Sequence, residues 1–325
     1  MSTLEVAVVI PTYQRPDLLL RCLEAVLAQT FALDAFEVIV VDDGCGDDVR
    51  EVVGKLTWRT RGRPVVRYLR PDGTRGPAAA RNRGWRASQA PLIAFTDDDT
   101  IPHEDWLAQG VRALSEGPVA VCGRVVVPVG QGAPTDHERN TQGLERAEFV
   151  TANAFVRRDA LVAVGGFDER YTRAWREDSD LQFALMQVGP VGKALRAAVT
   201  HPVRSAPWGV SMEQQANSLF DALLYKKHPT LYRQRIHPHP PWRYYLVVLC
   251  TLLAGGAAVT GHRAQALAWL GVALLFITAF IFKRLAGASR EPRHVAEMVF
   301  TSLFIPYLSV YWRLRGAIRF RVLFI

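Results

Sequence analysis

Residues 91–100, PLIAFTDDDT, end an apolar run in three consecutive carboxylates. The apolar part predicts a buried strand, and a doubly wound sheet binds its ligands outside the carboxyl ends of its strands. Adjacent carboxylates raise each other's pKa unless a cation or hydrogen-bond donors stabilise their charge. A divalent cation that also holds substrate phosphates is one such arrangement. An Asp-rich turn that caps the following helix is the alternative.

The first half of the chain alternates short apolar runs with segments of helical periodicity. These patterns predict strands at 6–10, 36–41, 65–69, 92–95 and 119–127, and helices at 17–30, from 76 onwards and at 178–188. Fully apolar strands separated by helices indicate a mainly parallel sheet that helices cover. The predicted fold class is therefore α/β and Rossmann-like.

Three further segments bear on the domain organisation. Residues 131–146 are polar and lack an apolar period, which predicts a loop or lid. Residues 202–227 are amphipathic and predict no single element. The prolines of residues 237–241, HPHPP, cannot continue a helix and mark a boundary. We therefore predict one domain over 1–235 and a Pro-rich hinge over 236–243.

Two segments after the hinge, 244–260 and 264–282, have the length and composition of membrane-spanning helices. A short polar sequence, 261–263, separates them, and the loop behind them, 283–293, is basic, as cytoplasmic loops tend to be. We predict a transmembrane helical hairpin over 244–282 with both ends in the cytoplasm. Buried core helices are the alternative.

The last part of the chain, 283–325, joins this basic loop to a third apolar stretch, 295–314. The stretch contains Pro306 and runs directly into a series of arginines. If it crossed the membrane, these arginines would lie on the far side, against the charge rule for membrane proteins. We therefore expect an interfacial or re-entrant helix here.

The charge of the chain is unevenly distributed. Residues 1–235 carry 29 Lys and Arg and 29 Asp and Glu, whereas residues 236–325 carry 10 basic residues and two acidic ones, Glu291 and Glu297. The basic residues flank apolar segments and do not form a separate polar face. This pattern indicates a membrane surface with anionic headgroups as the partner, and it argues against nucleic acid.

The cysteines and the N-terminus bear on the cellular compartment. Cys22, Cys45, Cys122 and Cys250 are scattered without metal-binding spacing, which is typical of reduced thiols in the cytosol. Residues 1–10 lack the basic and apolar regions of a signal peptide. We expect a protein on the cytoplasmic face of the cell membrane, anchored by its C-terminal helices.

Six short motifs follow one another between residues 5 and 205. They are VIPTY at 9–13, VVDDG at 40–44, ARNRG at 80–84, FTDDD at 95–99, GGFDE at 165–169 and REDSDL at 176–181. In this order and spacing, the chain resembles the family-2 glycosyltransferases of the GT-A fold, in particular membrane-attached bacterial members. The resemblance implies the transfer of a sugar from a nucleoside-diphosphate sugar, with UDP as the expected nucleotide.

The resemblance also implies a nucleotide site built from the loops at the strand ends. The residues of this sequence at the family's nucleotide-contacting positions are Pro11, Thr12, Tyr13, Arg15, Asp43, Arg81, Asp97 and Asp98. An arginine that follows a small-residue loop at a helix start suits a pyrophosphate. For the Asp-Asp-Gly sequence at 42–44, a simple type I turn is the alternative.

A divalent metal, Mg²⁺ or Mn²⁺, is a further implication of the resemblance. The family's Asp-x-Asp pattern makes Asp99 a metal ligand, and some members supply another ligand at the position of His201. Such a metal neutralises charge on the departing nucleoside diphosphate. A lone histidine is more often structural, and that alternative stays open for His201.

Inverting transfer needs a carboxylate that takes the proton of the acceptor hydroxyl. The resemblance assigns this role to Asp178 and places Glu177 and Trp175 on the acceptor side. A helix cap is the alternative for Asp178, and packing is the alternative for Trp175. Both readings of Asp178 can hold, because a cap position fixes the direction of a carboxylate.

We therefore expect an inverting, metal-dependent glycosyltransferase whose acceptor is membrane-associated: a lipid-linked glycan, a glycolipid or a surface polysaccharide. Two other classes are the rivals. A sugar nucleotidyltransferase would need a Gly-rich N-terminal loop, and residues 11–16 contain no glycine. A membrane-recruited nucleotide-sugar binding protein would have no need of a base such as Asp178.

Overall fold

The computed structural model describes residues 4–324. Its strands are β1 (Val6–Thr12), β2 (Phe36–Asp42), β3 (Val65–Leu69), β4 (Leu92–Thr96), β5 (Ile101–Pro102), β6 (Ala120–Val126), β7 (Asn153–Arg157) and β8 (Val191–Thr200). Every apolar run that predicts a strand forms one, at β1 to β4 and at β6, with ends that differ by two residues at most. The positions of these strands therefore follow from the local apolar content of the sequence.

The helices lie between and after these strands. They are α1 (Pro16–Leu27), α2 (Asp48–Arg59), α3 (Pro77–Arg86), α4 (Trp106–Ser115), α5 (Asp136–Gln142), α6 (Arg158–Val164), α7 (Glu177–Leu185), α8 (Val210–Glu213), α9 (Ser218–Lys227), α10 (Pro229–Arg235), α11 (Trp242–Val259), α12 (Arg263–Leu285) and α13 (Pro292–Phe320). Four of them, α1, α3, α10 and α13, begin at proline. Proline suits this position because its φ is already helical and an N–H there would have no partner within the helix.

Internal contacts divide the chain into two units. The first comprises residues 4–128 and 142–203 and contains the sheet with its helices. The second comprises residues 129–141 and 204–324 and contains α5 and α8 to α13. Residues 204–235 thus group with the C-terminal helices, and the domain boundary at 235 stays a prediction.

The sheet has the strand order β3-β2-β1-β4-β7-β6-β8-β5. Its first four strands are parallel, with Thr12 opposite Asp42 and Val9 opposite Phe95. Parallel strands end at the same edge of a sheet, which is where α/β proteins bind ligands. The loops after β1, β2 and β4 therefore meet at this edge, as the sequence predicts.

The other half of the sheet is mixed. β7 runs antiparallel between β4 and β6, and β6 and β8 pair in parallel. The chain leaves β6 at the same edge where β4 ends, so a strand that starts from this edge has to run back antiparallel. This return places the start of β7 beside the end of β4, with Asn153 opposite Thr96.

Helix α3 packs closely on the sheet through Gly84. A Cβ atom at this position would lie 2.4 Å from Val9 Cγ1, a separation that side chains do not adopt. The absence of a side chain therefore allows α3 to approach β1 directly. The helix begins at the ligand-binding edge of the sheet, so the close approach also sets the position of the ARN motif.

The prediction of a loop over 131–146 is wrong for its second half, which contains α5 and a 3₁₀ turn at Gly143–Arg146. Thr135 and Glu138 cap α5 reciprocally. The Thr135 N–H donates to Glu138 Oε2 at 2.6 Å, and the Glu138 N–H donates to Thr135 Oγ1 at 3.2 Å. The sequence TDHE is a capping box, and this local signal outweighs the missing apolar period.

Helices α11, α12 and α13 are long and apolar enough to cross a membrane, with mean hydropathies of 1.5, 2.1 and 1.3 over 18 residues. α11 and α12 form an antiparallel hairpin, in which the rings of Tyr244 and Phe280 contact each other at 5.3 Å between centroids. Most of their side chains are exposed, although they are apolar. An exposed apolar surface of this extent is typical of helices that lie in lipid.

Helix α13 continues through Pro306 and is longer than the stretch that predicted it. Its buried face includes the polar residues Thr301, Ser302, Ser309 and Arg313. Its exposed face includes the apolar residues Phe300, Phe304, Tyr311, Leu314 and Ile318. Its buried face also holds the apolar residues Met298, Ile305, Val310 and Phe320, so both faces of α13 contain apolar side chains.

Candidate active site

Asp98, the middle residue of the Asp triplet, is tied to the loop after β1. Thr12 Oγ1 donates to Asp98 Oδ2 at 2.8 Å, and Arg15 Nη1 donates to Asp98 Oδ1 at 3.3 Å. Burial and the neighbouring carboxylate of Asp99 raise the pKa of Asp98 to about 6, against the effect of the two donors. Asp98 therefore connects the β1 loop to the end of β4.

The two aspartates that follow β2 have different surroundings. Asp42 is buried and accepts hydrogen bonds from the Gly44 N–H and the Tyr68 hydroxyl, both at 2.8 Å. Asp43 Oδ2 accepts from the Gly76 N–H at 2.7 Å. Its other oxygen, Oδ1, is buried and has no hydrogen-bond partner in the part of the chain that the structure describes. The turn interpretation accounts for Asp42, whereas Asp43 keeps an acceptor atom that a ligand can use.

Gly76 fixes the loop that holds Asp43. Its φ is +109°, and a Cβ atom would lie 2.9 Å from the carbonyl oxygen of Thr172. Both the backbone conformation and the close approach exclude larger residues. Arg75 adds a second connection, because its Nη1 donates to the Asp43 carbonyl at 2.9 Å.

A pocket of about 210 Å³ opens beside the Asp-Asp-Gly turn. It is lined by Gln14, Pro16, Asp42, Gly44, Gly46, Asp48 and Val49. Next to Gln14 in the loop after β1, the Tyr13 side chain is 53% exposed. The loop after β1 and the turn after β2 therefore form one concave surface, and an exposed aromatic ring lies in the same loop.

Arg81 is buried, and its guanidinium connects two carboxylates. Nη2 donates to Asp97 Oδ1 at 2.7 Å, and Nη1 donates to Glu177 Oε1 at 3.2 Å. These bonds join the start of α3 to the end of β4 and the start of α7. The guanidinium of this arginine is therefore committed to the site's own carboxylates.

Asn82, in the same motif as Arg81, fixes the GGFDE segment. Its Nδ2 donates to the Phe167 carbonyl and to Glu169 Oε1, both at 2.8 Å, and its Oδ1 accepts from the Phe167 N–H at 2.9 Å. Two of these groups are main-chain atoms of Phe167, and the third is the side chain of Glu169 in the same segment. The asparagine is thus a structural member of its motif.

The two carboxylates at the start of α7 differ in accessibility. Glu177 is 3% exposed, and its Oε2 atom has no hydrogen-bond partner among residues 4–324. Burial and the charge of Asp178 raise the pKa of Glu177 to about 8. Asp178 is half-buried, and its Oδ1 accepts a hydrogen bond from Thr151 Oγ1 at 2.7 Å. Of the two, Asp178 is the carboxylate that a substrate can reach.

Asp99 and His201 face each other at the ends of β4 and β8. His201 Nε2 lies 3.5 Å from Asp99 Oδ1, and both residues are buried. The His201 N–H donates to the Val126 carbonyl at 2.8 Å, which fixes the backbone here. His201 Nδ1 is buried and unpartnered within the described chain.

The donor set of this pair suits the divalent metal that the resemblance implies. A carboxylate oxygen suits both Mg²⁺ and Mn²⁺, and an imidazole nitrogen, a transition-metal ligand, favours Mn²⁺ of the two. Residues 4–324 contain no cluster of three or more His, Cys, Asp or Glu side chains arranged for a metal ion. Two protein ligands leave the other coordination positions to substrate phosphates and water, so the residues present fit the metal.

Trp175 and Arg176 precede α7. The Arg176 guanidinium lies over the Trp175 ring at 4.7 Å from its centroid, and Arg176 has a φ of +74°, which is uncommon outside glycine. Trp175 Nε1 is buried without a hydrogen-bond partner in the described residues. Packing alone therefore leaves this N–H unpaired, whereas a bound substrate can accept from it.

Known proteins resemble this chain in sequence. The model of glycosyl transferase family 2 matches residues 7–168. Glycosyltransferase AglE of Haloferax volcanii is 34% identical over 171 residues, which make up 50% of this chain and 55% of that protein. Validoxylamine A glucosyltransferase of Streptomyces hygroscopicus subsp. jinggangensis is 42% identical over 113 residues, which make up 34% of this chain and 26% of that protein. The chain thus spans about half, or less, of the length of these relatives.

A solved structure resembles the chain over nearly its whole length. It is mannosyltransferase PcManGT from Pyrobaculum calidifontis in complex with GDP-Man and Mn²⁺, with a TM-score of 0.56, 18% identity and coverage of 98% of this chain and 87% of that chain. This likeness shows the fold. The family match over residues 7–168 and this fold together identify a glycosyltransferase domain of the GT-A fold. The chain belongs to glycosyl transferase family 2.

Proposed function

We propose that this protein is an inverting, metal-dependent glycosyltransferase. It transfers a sugar from a nucleoside-diphosphate sugar, with UDP as the expected nucleotide, to a membrane-associated acceptor. The acceptor is a lipid-linked glycan, a glycolipid or a surface polysaccharide. One observation carries the proposal: an accessible carboxylate, Asp178, lies within one charge network with the carboxylates at the end of β4.

The nucleotide occupies the concave surface between the loops after β1 and β2. Asp43 Oδ1, a buried acceptor without a partner in the described chain, accepts from a ring N–H of the base. Tyr13 supplies an exposed ring for stacking, beside Pro11 and Thr12. The complex of PcManGT with GDP-Man supports a nucleotide-sugar ligand on this fold.

The ribose and diphosphate lie towards the Asp triplet. The Asp97 side chain is 27% exposed and contacts the ribose, while Asp98 and Arg15 hold the β1 loop in place. Arg81 acts on the nucleotide through Asp97, because its Nη2 orients that carboxylate. The direct pyrophosphate contact of Arg81 stays a prediction, and the burial of its guanidinium against protein carboxylates supports the indirect role.

Asp99 and His201 are the residues that would hold Mg²⁺ or Mn²⁺ together with the donor diphosphate. The metal supplies electrostatic stabilisation for the negative charge of the departing nucleoside diphosphate. The burial of both side chains and the unpartnered His201 Nδ1 support a functional pair. The Mn²⁺ in the complex of the structural relative supports a divalent cation on this fold.

Asp178 is the general base. Its carboxylate takes the proton of the acceptor hydroxyl as that oxygen attacks the anomeric carbon from the face opposite the leaving group. The bond from the anomeric carbon to the diphosphate oxygen breaks in the same step, and the electron pair stays with the nucleoside diphosphate. Glu177 is too deeply buried for this role and shapes the acceptor side together with Trp175.

The C-terminal unit attaches the protein to the membrane. α11 and α12 are long and apolar enough to span it, and α13 exposes apolar side chains such as Phe300, Phe304 and Ile318. A helix with this exposed apolar face suits an in-plane position with that face in the lipid. Three exposed arginines near its C-terminal end, Arg315, Arg319 and Arg321, then meet anionic headgroups, each contributing about 1 kcal/mol. Arg313 is buried beside Asp221 and does not take part. The N-terminal unit faces the cytoplasm in this arrangement.

A donor screen tests the proposed activity. The purified protein is incubated with a panel of nucleotide sugars, Mn²⁺ and a membrane extract, and the release of nucleoside diphosphate is measured. We expect release with one donor class, dependent on the extract. Tight nucleotide binding without release from any donor would instead identify a nucleotide-sugar binding protein.

Cysteine labelling from outside the cell tests the topology. The exposed Cys45 is first replaced by Ser, and single cysteines are then placed at His262, Arg290 and Arg319, which are all exposed. An impermeant reagent should label the cysteine at 262 and spare those at 290 and 319. Labelling at 319 would mean that α13 crosses the bilayer.

A further inference from the structure

Thr151 contacts the candidate base, although it lies outside every sequence motif. It immediately precedes the residues that lead into β7, and its side chain is fully buried. Its Oγ1 donates to Asp178 Oδ1 at 2.7 Å. The contact joins the returning antiparallel strand to the first turn of α7.

A buried hydrogen-bond network fixes the backbone turn that carries Thr151. The Asn153 N–H donates to the Val150 carbonyl at 3.1 Å and closes a turn around Thr151. The Asn153 side chain donates to the carbonyls of Arg124 and Ala197, both at 2.9 Å. These bonds fix the turn to β6 and β8. The sheet therefore sets the position of the Thr151 side chain.

We propose that Thr151 is a positioning residue for sugar transfer: its hydroxyl, bonded to Asp178 Oδ1, orients the carboxylate that takes the acceptor proton. The inference rests on the proposed role of Asp178 as the base. The Thr151 main-chain N–H also acts on the Asp178 carboxylate. Two donors from one buried turn restrict the rotation of this carboxylate, and a restricted base keeps its direction towards the acceptor hydroxyl.

The charges around Asp178 give the hydroxyl a second effect. Asp178 interacts electrostatically with four ionisable groups: Arg81, Asp97, Glu177 and Cys122. Burial raises the pKa of Asp178, while the Arg81 guanidinium and the Thr151 hydroxyl oppose this rise. The hydroxyl thus favours the ionised base without adding a charge to a network that is already rich in carboxylates.

The sign of the pH effect follows from this hydrogen bond. Because the Thr151 hydroxyl stabilises the ionised carboxylate, its removal raises the pKa of Asp178. A base must be ionised to accept a proton, so the acid limb of the pH–rate profile moves to higher pH. Removal of a hydrogen bond to a charged group is expected to move this limb by about one pH unit.

The test compares Thr151→Val, which keeps the side-chain shape, with Thr151→Ser, which keeps the hydroxyl. For Thr151→Val we expect kcat to fall roughly 10- to 100-fold with the KM of the donor nearly unchanged, since the hydrogen bond acts on the base and not on the nucleotide. Thr151→Ser should restore both the rate and the acid limb. Thr57→Val, which removes a hydroxyl that bonds the main chain of α2, is the matched control.

The outcomes separate this inference from the proposed function. An unchanged acid limb in Thr151→Val, with Asp178→Asn inactive, would overturn the positioning role and leave the base assignment in place. Full turnover of Asp178→Asn would overturn the base assignment itself. If Thr151→Val does not fold, Thr151→Cys provides the same comparison, because a thiol fills the site and is a weaker donor.

Discussion

Two buried arginines, one in each unit, have very different partners. Arg284 lies at the end of α12, where its guanidinium donates four hydrogen bonds of 2.7–3.1 Å. The acceptors are Thr301 Oγ1, Ser302 Oγ, Asp136 Oδ2 and Ser211 Oγ. One carboxylate balances the charge, and three hydroxyls complete the set.

Around Arg81, in contrast, carboxylates outnumber the cation. Asp97 and Glu177 bond its guanidinium, and Asp178 adds a third negative charge nearby. One guanidinium cannot neutralise three carboxylates, so this region favours the binding of a proton or a further cation. We infer that the balanced cluster around Arg284 holds helices together, whereas the unbalanced cluster around Arg81 serves chemistry.

The largest effect is expected at the accessible carboxylate of the unbalanced cluster. Asp178→Asn keeps the shape of the side chain but cannot take a proton, so kcat should fall by roughly 10²–10⁴. Donor affinity, measured by calorimetry, should change little. Asp159→Asn, at an exposed carboxylate in the first turn of α6, is the control and should keep the wild-type rate. Equal rates for both variants would assign the base elsewhere.

Removal of the cation from the unbalanced cluster should destabilise the sheet unit. Arg81→Met leaves buried carboxylates without their partner, which costs about 3–5 kcal/mol. The loss should be largest at neutral pH and smaller in acid, where protonation removes the repulsion. Thermal unfolding in detergent at pH 5 and pH 7.5 measures both values. A pH-independent loss would mean that Arg81 acts by packing.

Glu177 should make stability depend on pH. Its pKa is about 8 in the folded protein, above its usual value of 4.5, because of burial and Asp178. The folded state therefore binds more protons than the unfolded state between these values, and stability falls as pH rises through this window. Glu177→Gln cannot ionise, so its melting temperature should decline less than that of the wild type between pH 5 and 8. Parallel curves would contradict the raised pKa.

The smallest effect is expected at the balanced cluster. Arg284→Met leaves one carboxylate and three hydroxyls to find other partners, and we expect a loss of about 1–3 kcal/mol. Between pH 5 and 8 this loss should change less than that of Arg81→Met, because only one carboxylate bonds Arg284 and no second carboxylate repels it. Thermal unfolding at both pH values compares it directly with Arg81→Met. A strong pH dependence would remove the distinction between the two clusters.

The parts of the fold that depend on local sequence could be predicted. β1 to β4 follow from short, mainly apolar runs, and the Asp triplet follows directly after β4. The antiparallel direction of β7 could not be predicted, because it depends on which strands pair across the sheet. Helix α5 had a local signal in its capping box, which a search for apolar periodicity passes over.

The candidate site divides in the same way. The motifs indicated Asp43, Asp99 and Asp178, whose roles stay predictions. The partners of Arg81 lie 16 and 96 residues away in the sequence. A local sequence pattern cannot predict contacts between residues so far apart. Thr151, which is 27 residues from Asp178, had no signal because a single buried threonine is common in any core.

The dependence of sugar transfer on a divalent metal tests the central claim most directly. Release of nucleoside diphosphate is measured for the wild type and for Asp99→Ala, each with Mn²⁺ and with a chelator. The pairing of Asp99 with His201 predicts that the wild type is active with Mn²⁺ and loses activity with the chelator. Asp99→Ala, checked for folding by its melting temperature, should be inactive in both conditions. Full activity of the wild type in the chelator, or of Asp99→Ala with Mn²⁺, would contradict the account.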